Sequence, residues 1–185
     1  NMMGSAANWF ASVPRGTRFV EAQKRLAKIK FTLDGLKPTI DYLTKRSLDN
    51  PEYFVVFVEL QGMIYREAGA MDDYFRVLDE GLAKRPKEPS LLYSSAMAAE
   101  QLGLIDVLEL RLRRLIELEP DNAQAFNALG YTLADKTDRF GEAKALLVRA
   151  LELSPDDPVF IDSMGWIEFK LKEYERSITL LRRAY

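Results

Sequence analysis

The chain has 185 residues, of which 48% are hydrophobic and 29% charged, enough apolar content for a buried core. Its 26 Lys and Arg residues nearly balance its 28 Asp and Glu residues, so the net charge of −2 gives no reason to expect nucleic acid or anionic lipid as a partner. The absence of cysteine and histidine excludes disulfides, thiolate metal sites and the commonest general base.

The first third of the chain carries helical patterns without sharp motifs. Apolar residues that stop at Pro14 predict the end of a truncated helix, and helical spacing predicts two further helices over 19–33 and 36–48. Asn50 and Pro51 resemble a helix start, one turn before the position that the later pattern would give. We therefore expect the helix that follows Pro51 to be extended at its beginning.

From residue 51 onward the sequence repeats with a period of about 34 residues. Small residues recur at Gly62, Ala96, Gly130 and Gly165, at spacings of 34, 34 and 35 residues, and prolines follow the same period. A fixed period of this length indicates stacked repeats of one supersecondary unit. The small residues predict places where two helices approach closely, because an interior glycine otherwise costs about 1 kcal/mol.

Each repeat is predicted to contain two helices, A and B. Helix A runs to a turn near Gly69, Gly103, Asp138 or Lys172, and helix B runs to a proline that cannot continue it. Asp157 before Pro158 is a favourable start for the next helix A. One extra residue in the third repeat, around 138–141, predicts a longer turn there.

This pattern resembles the tetratricopeptide repeat, a 34-residue helix–turn–helix unit. The best matches are Phe126-x2-Leu129-Gly130 with Ala143-x3-Leu147, and Ile161-x2-Met164-Gly165 with Tyr174-x2-Ser177. The resemblance implies an all-α fold, an alpha-alpha superhelix of antiparallel helix pairs. The predicted bounds are 1–14 for the end of a truncated repeat, 17–49 for a degenerate repeat, 51–88, 89–122 and 123–157 for three repeats, and 158–185 for a truncated repeat, in one segment over 1–185.

Two sets of residues recur on one face of the A helices. Met63, Met97, Tyr131 and Trp166 follow the small residues, and Glu59, Tyr93, Asn127 and Asp162 stand four residues, about one turn, before them. In the repeat family this face is concave, so the resemblance implies a partner-binding groove. Aromatic and Met side chains suit such a surface. For Met63 and Met97, core packing against a neighbouring helix is an equal alternative.

No pattern in the sequence indicates a catalytic or cofactor site. The phosphate-binding loop, the dinucleotide fingerprint and the nucleophile elbow are all missing. Carboxylate pairs such as Asp72 and Asp73 fall at helix starts, where capping explains them, and the run of Arg111, Arg113 and Arg114 is typical of a solvated helix face. We therefore expect no enzymatic activity, no metal and no cofactor.

A narrower resemblance rests on 126–135 and 162–166. These segments are similar to bacterial tetratricopeptide proteins that are exported and lipid-anchored at the outer membrane, some of which are adaptors of a C-terminal-processing protease. The resemblance implies a periplasmic, outer-membrane-anchored scaffold that brings the protease and its substrates together. The chain begins with Asn and stops inside a predicted helix, so we interpret it as part of a longer protein.

Three functions are compatible with the sequence. The first is a non-catalytic scaffold or adaptor that binds partner polypeptides on the concave face, and the second is a helical accessory domain of a larger enzyme. The third is a self-associating solenoid, since helix faces that normally stack on another repeat would be exposed at both ends. No apolar run approaches the roughly 20 residues that span a bilayer, so we expect no direct membrane insertion by this segment.

Overall fold

The computed structural model describes residues 2–185, so Asn1, part of the predicted repeat end 1–14, lies outside the described residues. Over these residues the chain forms eleven α-helices and no strand. The helices are α1 (Met2–Ser12), α2 (Phe19–Asp34), α3 (Leu36–Asp49), α4 (Phe54–Glu67), α5 (Met71–Lys84), α6 (Pro89–Gln101), α7 (Ile105–Leu118), α8 (Ala123–Lys136), α9 (Phe140–Leu153), α10 (Pro158–Lys170) and α11 (Tyr174–Ala184). The predicted all-α class is confirmed.

The chain divides into two compact units, the first ending at Arg85 and the second spanning Pro86–Tyr185. In the first unit each helix packs against the next, and α2 also contacts α4. Its core contains Phe19, Leu43, Phe57 and Ile64, none of them more than 1% exposed. The prediction of one solenoid segment over 1–185 stays a prediction.

The second unit consists of three helical hairpins, α6–α7, α8–α9 and α10–α11. Helix α8 packs on α7 and α10 packs on α9, so each hairpin is joined to the one before it, and α8 also contacts α10. The buried leucines of α7, α8 and α9 lie in the core of this stack. They are Leu108, Leu112, Leu115, Leu129, Leu133 and Leu147, all with 0% exposure.

The small residues mark close helix approaches, as their spacing predicts. A Cβ added at Gly130 would lie 2.8 Å from Leu147 Cγ, and one added at Gly165 would lie 2.9 Å from Leu181 Cγ. At Gly62 the corresponding distance, to Leu78 and Tyr74, is 3.3 Å. A side chain at any of these three glycines would press on atoms of the partner helix, so the glycines allow the helices to approach this closely.

Among the described helix starts, the N-cap side chain accepts a backbone hydrogen bond at α8 and α10 only. The Asp157 carboxylate accepts a hydrogen bond of 2.9 Å from the Val159 N–H, which confirms the predicted cap of α10. A short 3₁₀ turn, Pro51–Tyr53, precedes α4, so the expected extension exists but is not α-helical. Gly69, Gly103 and Lys172 each adopt a positive φ, between 66° and 74°, in the turn that joins two helices.

The longer turn predicted around 138–141 is wrong. Three residues, 137–139, connect α8 to α9, as many as in the other hairpins of the second unit. Instead α8 has 14 residues where α6 and α10 have 13. Thr137 ends α8 in an extended conformation, its hydroxyl donating to the Leu133 carbonyl and accepting from the Arg139 N–H. The hydroxyl therefore pairs with a carbonyl and an N–H at the end of α8, where the other two turns of the second unit use a left-handed residue, Gly103 or Lys172.

Candidate functional site

The eight residues predicted for the binding face all lie on A helices. Seven are half-buried, and Tyr131 is exposed at 37% of its surface. Glu59 and Met63 belong to α4 in the first unit, so they are separate from the other six. Those six lie in the second unit: Tyr93 and Met97 on α6, Asn127 and Tyr131 on α8, and Asp162 and Trp166 on α10.

Tyr131 lies among charged groups from three helices. Burial raises the pKa of its hydroxyl, and Asp135 on the same helix raises that pKa further, while Lys136 lowers it. Asp162 on α10 and Glu100 on α6 also raise the pKa of Tyr131. Carboxylates from α6, α8 and α10 therefore act on one hydroxyl. This convergence makes Tyr131 the centre of the predicted face in the second unit.

Trp166 carries a polar atom without a protein partner. Its ring stacks on Phe169, with centroids 5.6 Å apart and planes 20° from parallel, and the Lys170 ammonium lies 5.1 Å from the ring centroid. The indole Nε1 is buried and makes no hydrogen bond within the described residues. A buried N–H without an acceptor is costly, by about 1–3 kcal/mol, and is unusual in folded proteins.

Asn127 presents a second atom of this kind. Its side-chain Oδ1 is buried and accepts no hydrogen bond from the described part of the chain. Asn127 precedes Tyr131 by four residues, so both side chains lie on one side of α8. The predicted face thus contains one acceptor and one donor that the protein itself leaves unused.

Tyr93 and Met97 are half-buried on α6, which fits both the groove and the core alternative. Burial raises the pKa of the Tyr93 hydroxyl, and Glu100 raises it further. Glu100 therefore acts on both Tyr93 and Tyr131. This shared carboxylate places the tyrosines of α6 and α8 in one electrostatic environment.

Arg113 and Arg114 of α7 form ion pairs on their own helix, as the sequence predicts, whereas Arg111 donates hydrogen bonds to the carbonyl and hydroxyl of Ser95 on α6. Arg113 pairs with Glu109 at 2.7 Å and with Glu142 of α9, and Arg139 pairs with both of these carboxylates at 2.6–2.7 Å. Hydrogen bonds from Arg139, and then from Arg113, lower the pKa of Glu109 to about 2. These cations are neutralised within the protein and do not form a basic patch.

No helix in the described range is both apolar enough and long enough to cross a bilayer. Within that same range, no three Asp or Glu side chains come together in a way that could hold a metal ion.

A cavity in the first unit was not predicted from the sequence. It has a volume of about 550 Å³ and is bounded by α3, α4 and α5. Phe54, Val58, Gln61 and Tyr65 line it from α4, and none of the eight predicted site residues takes part. The helical spacing of these four residues indicates only that they share one face of α4. The degenerate repeat over 17–49 does not indicate that α3 leaves space beside α4.

Comparison with known proteins identifies the architecture. The family model described as tetratricopeptide repeat matches residues 123–157. A solved structure of MamA from Desulfovibrio magneticus covers 92% of the chain with a TM-score of 0.70 at 13% identity, and the match covers 95% of that structure. The chain has the tetratricopeptide-repeat fold.

Two further tetratricopeptide-repeat proteins resemble the chain. A TPR repeat-containing protein from Pseudomonas aeruginosa is 35% identical over 179 residues, which are 97% of this chain. The chain spans 30% of the length of that relative. The crystal structure of YrrB, described as a TPR protein with an unusual peptide-binding site, has a TM-score of 0.65 at 16% identity, over 88% of this chain and 83% of that one.

Proposed function

We propose that the second unit is a non-catalytic module that binds a segment of another protein on the face formed by α6, α8 and α10. We call this surface the A-helix face. It is defined by Tyr93, Met97, Asn127, Tyr131, Asp162 and Trp166. The observation that carries the proposal is the exposed ring of Tyr131 on α8, accompanied on α8 and α10 by two buried polar atoms without a partner among the described residues, Asn127 Oδ1 and Trp166 Nε1.

A polypeptide backbone supplies what these two atoms lack. Both atoms are buried, so the Asn127 and Trp166 side chains must turn outward on binding. A backbone N–H can then donate to Asn127 Oδ1, and a backbone carbonyl can accept from Trp166 Nε1. In the described part of the protein, neither atom has a hydrogen-bond partner that binding would displace. Each new hydrogen bond would therefore remove the free-energy cost of an unsatisfied buried polar atom. The rings of Tyr131 and Trp166 add apolar contact area with few rotatable bonds, which favours their use as binding anchors.

The charge of the A-helix face favours a basic segment. Glu100, Asp135 and Asp162 act on the Tyr131 hydroxyl, and the nearby cations are Lys136, which pairs with Asp135 at 2.8 Å, and Lys170, which lies over the Trp166 ring. A Lys or Arg of the partner next to Tyr131 would meet carboxylates and an aromatic face together. Glu59 and Met63 would have the corresponding role on α4 of the first unit.

The proposal is tested with the double variant Tyr131→Ala/Trp166→Ala. We expect it to reduce capture of partner proteins by at least about 30-fold, since a loss of about 1 kcal/mol at each of two aromatic anchors adds up to about 2 kcal/mol. Helicity should be unchanged, because both side chains lie on the face and outside the leucine core. Pull-down at fixed salt measures capture, and circular dichroism measures helicity.

The matched control is Leu110→Ala/Val148→Ala. These side chains are 71% and 41% exposed on α7 and α9, so the variant removes the same number of apolar side chains from another surface of the same unit. It should retain capture. Equal partner recovery by the Tyr131→Ala/Trp166→Ala variant and by the unmodified protein would show that the face is assigned wrongly.

A finer proposal concerns cellular context. The similarity of 126–135 and 162–166 to exported bacterial adaptors supports a role in the bacterial envelope, with the protein anchored at the outer membrane and tethering a C-terminal-processing protease to its substrates. Affinity capture with the full-length protein from its native organism, followed by mass spectrometry, tests this. Recovery of an envelope protease that is lost in the Tyr131→Ala/Trp166→Ala variant is expected, and recovery of cytoplasmic partners alone would contradict it.

A further inference from the structure

The cavity of the first unit is a second candidate binding site, apart from the A-helix face. It lies between α3 and α5, with α4 as its floor, and its volume of about 550 Å³ is within the range of about 300–1,000 Å³ typical of ligand sites. Phe54, Val58, Gln61 and Tyr65 repeat at helical spacing and line the floor. Glu59 and Met63 are turned by about half a revolution from these residues, so they point to the opposite side of α4.

The amide group in the floor of the cavity does not need a polar ligand as a hydrogen-bond partner. Thr44 Oγ1 donates to Gln61 Oε1 at 3.2 Å, and Gln61 Nε2 donates to the Phe57 carbonyl at 3.2 Å. Beside them α5 approaches α4 so closely that a Cβ at Gly81 would lie 2.6 Å from Val58 Cγ1. The Gln61 amide is thus satisfied internally, and Phe54 and Val58 beside it are apolar, which favours an apolar side chain as the occupant.

The rim of the cavity carries an excess of positive charge at the end of α5. Arg76 is neutralised on its own helix, because it pairs with Asp73 at 2.5 Å and with Glu80 at 3.3 Å. Lys84 and Arg85 make no ion pair with any carboxylate of the described residues. Their cationic groups lie 5.6 and 6.0 Å from the centroid of the Phe54 ring. Two cations beside an apolar opening complement a carboxylate that is adjacent to an apolar side chain.

We infer that this cavity binds an acidic–apolar segment of a partner protein. An apolar side chain of the segment fills the space between α3 and α5, and a neighbouring Asp or Glu pairs with Lys84 and Arg85. The site differs from the A-helix face in position and in charge preference. The protein would therefore hold two partner segments of opposite charge, one in each unit.

The test uses two fluorescein-labelled synthetic peptides with the same Leu and Phe positions. One has Glu and the other has Lys at every remaining position. Binding is measured by fluorescence anisotropy on the whole chain in the Tyr131→Ala/Trp166→Ala background, so that the A-helix face does not contribute. We expect the Glu peptide to bind at least about tenfold more tightly than the Lys peptide, with amide NMR shifts confined to α3, α4 and α5. Equal binding of the two peptides would overturn the inference.

Two variants decide whether binding uses the cavity. Ser47→Trp places a ring at the cavity wall and should abolish binding of the Glu peptide. Lys84→Gln/Arg85→Gln removes the rim charges, breaks no ion pair and should weaken binding of the Glu peptide about fivefold. The matched control, Lys37→Gln/Lys45→Gln, removes two charges of α3 that lie outside the cavity lining and should leave binding unchanged.

Folding is checked by circular dichroism and thermal melting of each variant. If Ser47→Trp does not fold, the charge variant still decides, because Lys84 and Arg85 are exposed and their replacement should leave the fold intact. Unchanged affinity of the Lys84→Gln/Arg85→Gln variant for the Glu peptide, or equal weakening in the Lys37→Gln/Lys45→Gln control, would refute the inference.

Discussion

The contacts around Gly130 show how one residue sets the distance between two helices. A Cβ at this position would lie 3.0 Å from the Ala143 carbonyl oxygen as well as 2.8 Å from Leu147 Cγ. The carbonyl belongs to the backbone of α9, so it cannot move away by changing a rotamer. At Gly62, by contrast, the nearest atoms are side-chain atoms of Leu78 and Tyr74 at 3.3 Å.

Gly130→Ala is therefore expected to destabilise the protein, and Gly62→Ala is its matched control. An alanine gains about 1 kcal/mol of helix propensity over glycine at either site. At Gly130 overpacking against α9 should outweigh this gain and leave a net loss of about 1–2 kcal/mol. At Gly62 small side-chain shifts should keep stability within about 1 kcal/mol of the original. Urea unfolding of both variants measures the difference, and a Gly130→Ala variant as stable as Gly62→Ala would contradict the packing explanation.

At the scale of the helices, the ends of α4 and α6, just before Gly69 and Gly103, could be predicted from the sequence, and the end of α8 could not. Gly69 and Gly103 mark their turns because glycine adopts positive φ at little cost. Thr137 ends α8 by a different mechanism, a side-chain hydroxyl bonded to the backbone. Sequence spacing counts residues between markers but does not reveal which group satisfies a helix end. The extra residue was therefore assigned to the turn although it lengthens the helix.

The same distinction applies to the candidate sites. Helix geometry alone places Asn127 and Tyr131 on one side of α8, so their shared face could be predicted. The isolation of Asn127 Oδ1 and Trp166 Nε1 depends on the rotamers of neighbouring side chains, which no spacing encodes. The cavity beside α4 depends on how far apart α3 and α5 lie, and the weak repeat pattern before residue 50 carries no information on that distance.

Helices α7 and α9 are connected by the ion pairs of Glu109 and Glu142 with Arg113 and Arg139. The pKa of Glu109 is about 2, below its usual value of 4.5. A carboxylate with a lowered folded-state pKa stabilises the protein above its unfolded-state pKa, and this contribution is lost as pH falls toward the folded value. The window for Glu109 is therefore from about pH 4.5 down to about pH 2.

Glu109→Gln should cost about 1 kcal/mol at neutral pH, a value reduced for the solvent around both arginines. Between pH 4.5 and 2 the variant should lose less stability than the original protein, since it has no carboxylate to protonate at this site. Urea unfolding at a series of pH values measures this. Glu80→Gln is a suitable control because Glu80 is an exposed carboxylate paired only within its own helix. Parallel pH curves for Glu109→Gln and the original protein would show that the ion pairs contribute nothing.

At the scale of the whole molecule, the chain consists of two units with separate candidate sites. The A-helix face belongs to residues 86–185, and the cavity belongs to the unit that ends at Arg85. In repeat proteins each repeat contacts only its neighbouring repeats, so the free energy of unfolding is approximately a sum of local terms. A local perturbation should therefore have local effects.

Hydrogen exchange followed by mass spectrometry tests this locality with the Gly130→Ala variant. Faster exchange is expected in α8, α9 and the adjacent helices of the second unit, because opening there becomes easier by the loss of packing. Peptides from α2 and α3, which contain the buried residues Phe19 and Leu43, should exchange as before. A uniform increase over both units would mean that the chain unfolds as a single cooperative body.

The position of Trp166 gives the protein an intrinsic optical reporter. The chain has two tryptophans, and the other one, Trp9, is 62% exposed on α1 in the first unit. Replacing Trp9 with Phe would leave emission from one indole, the half-buried ring of Trp166 on the A-helix face. Occupation of that surface could then be followed by ultraviolet fluorescence without attaching any dye.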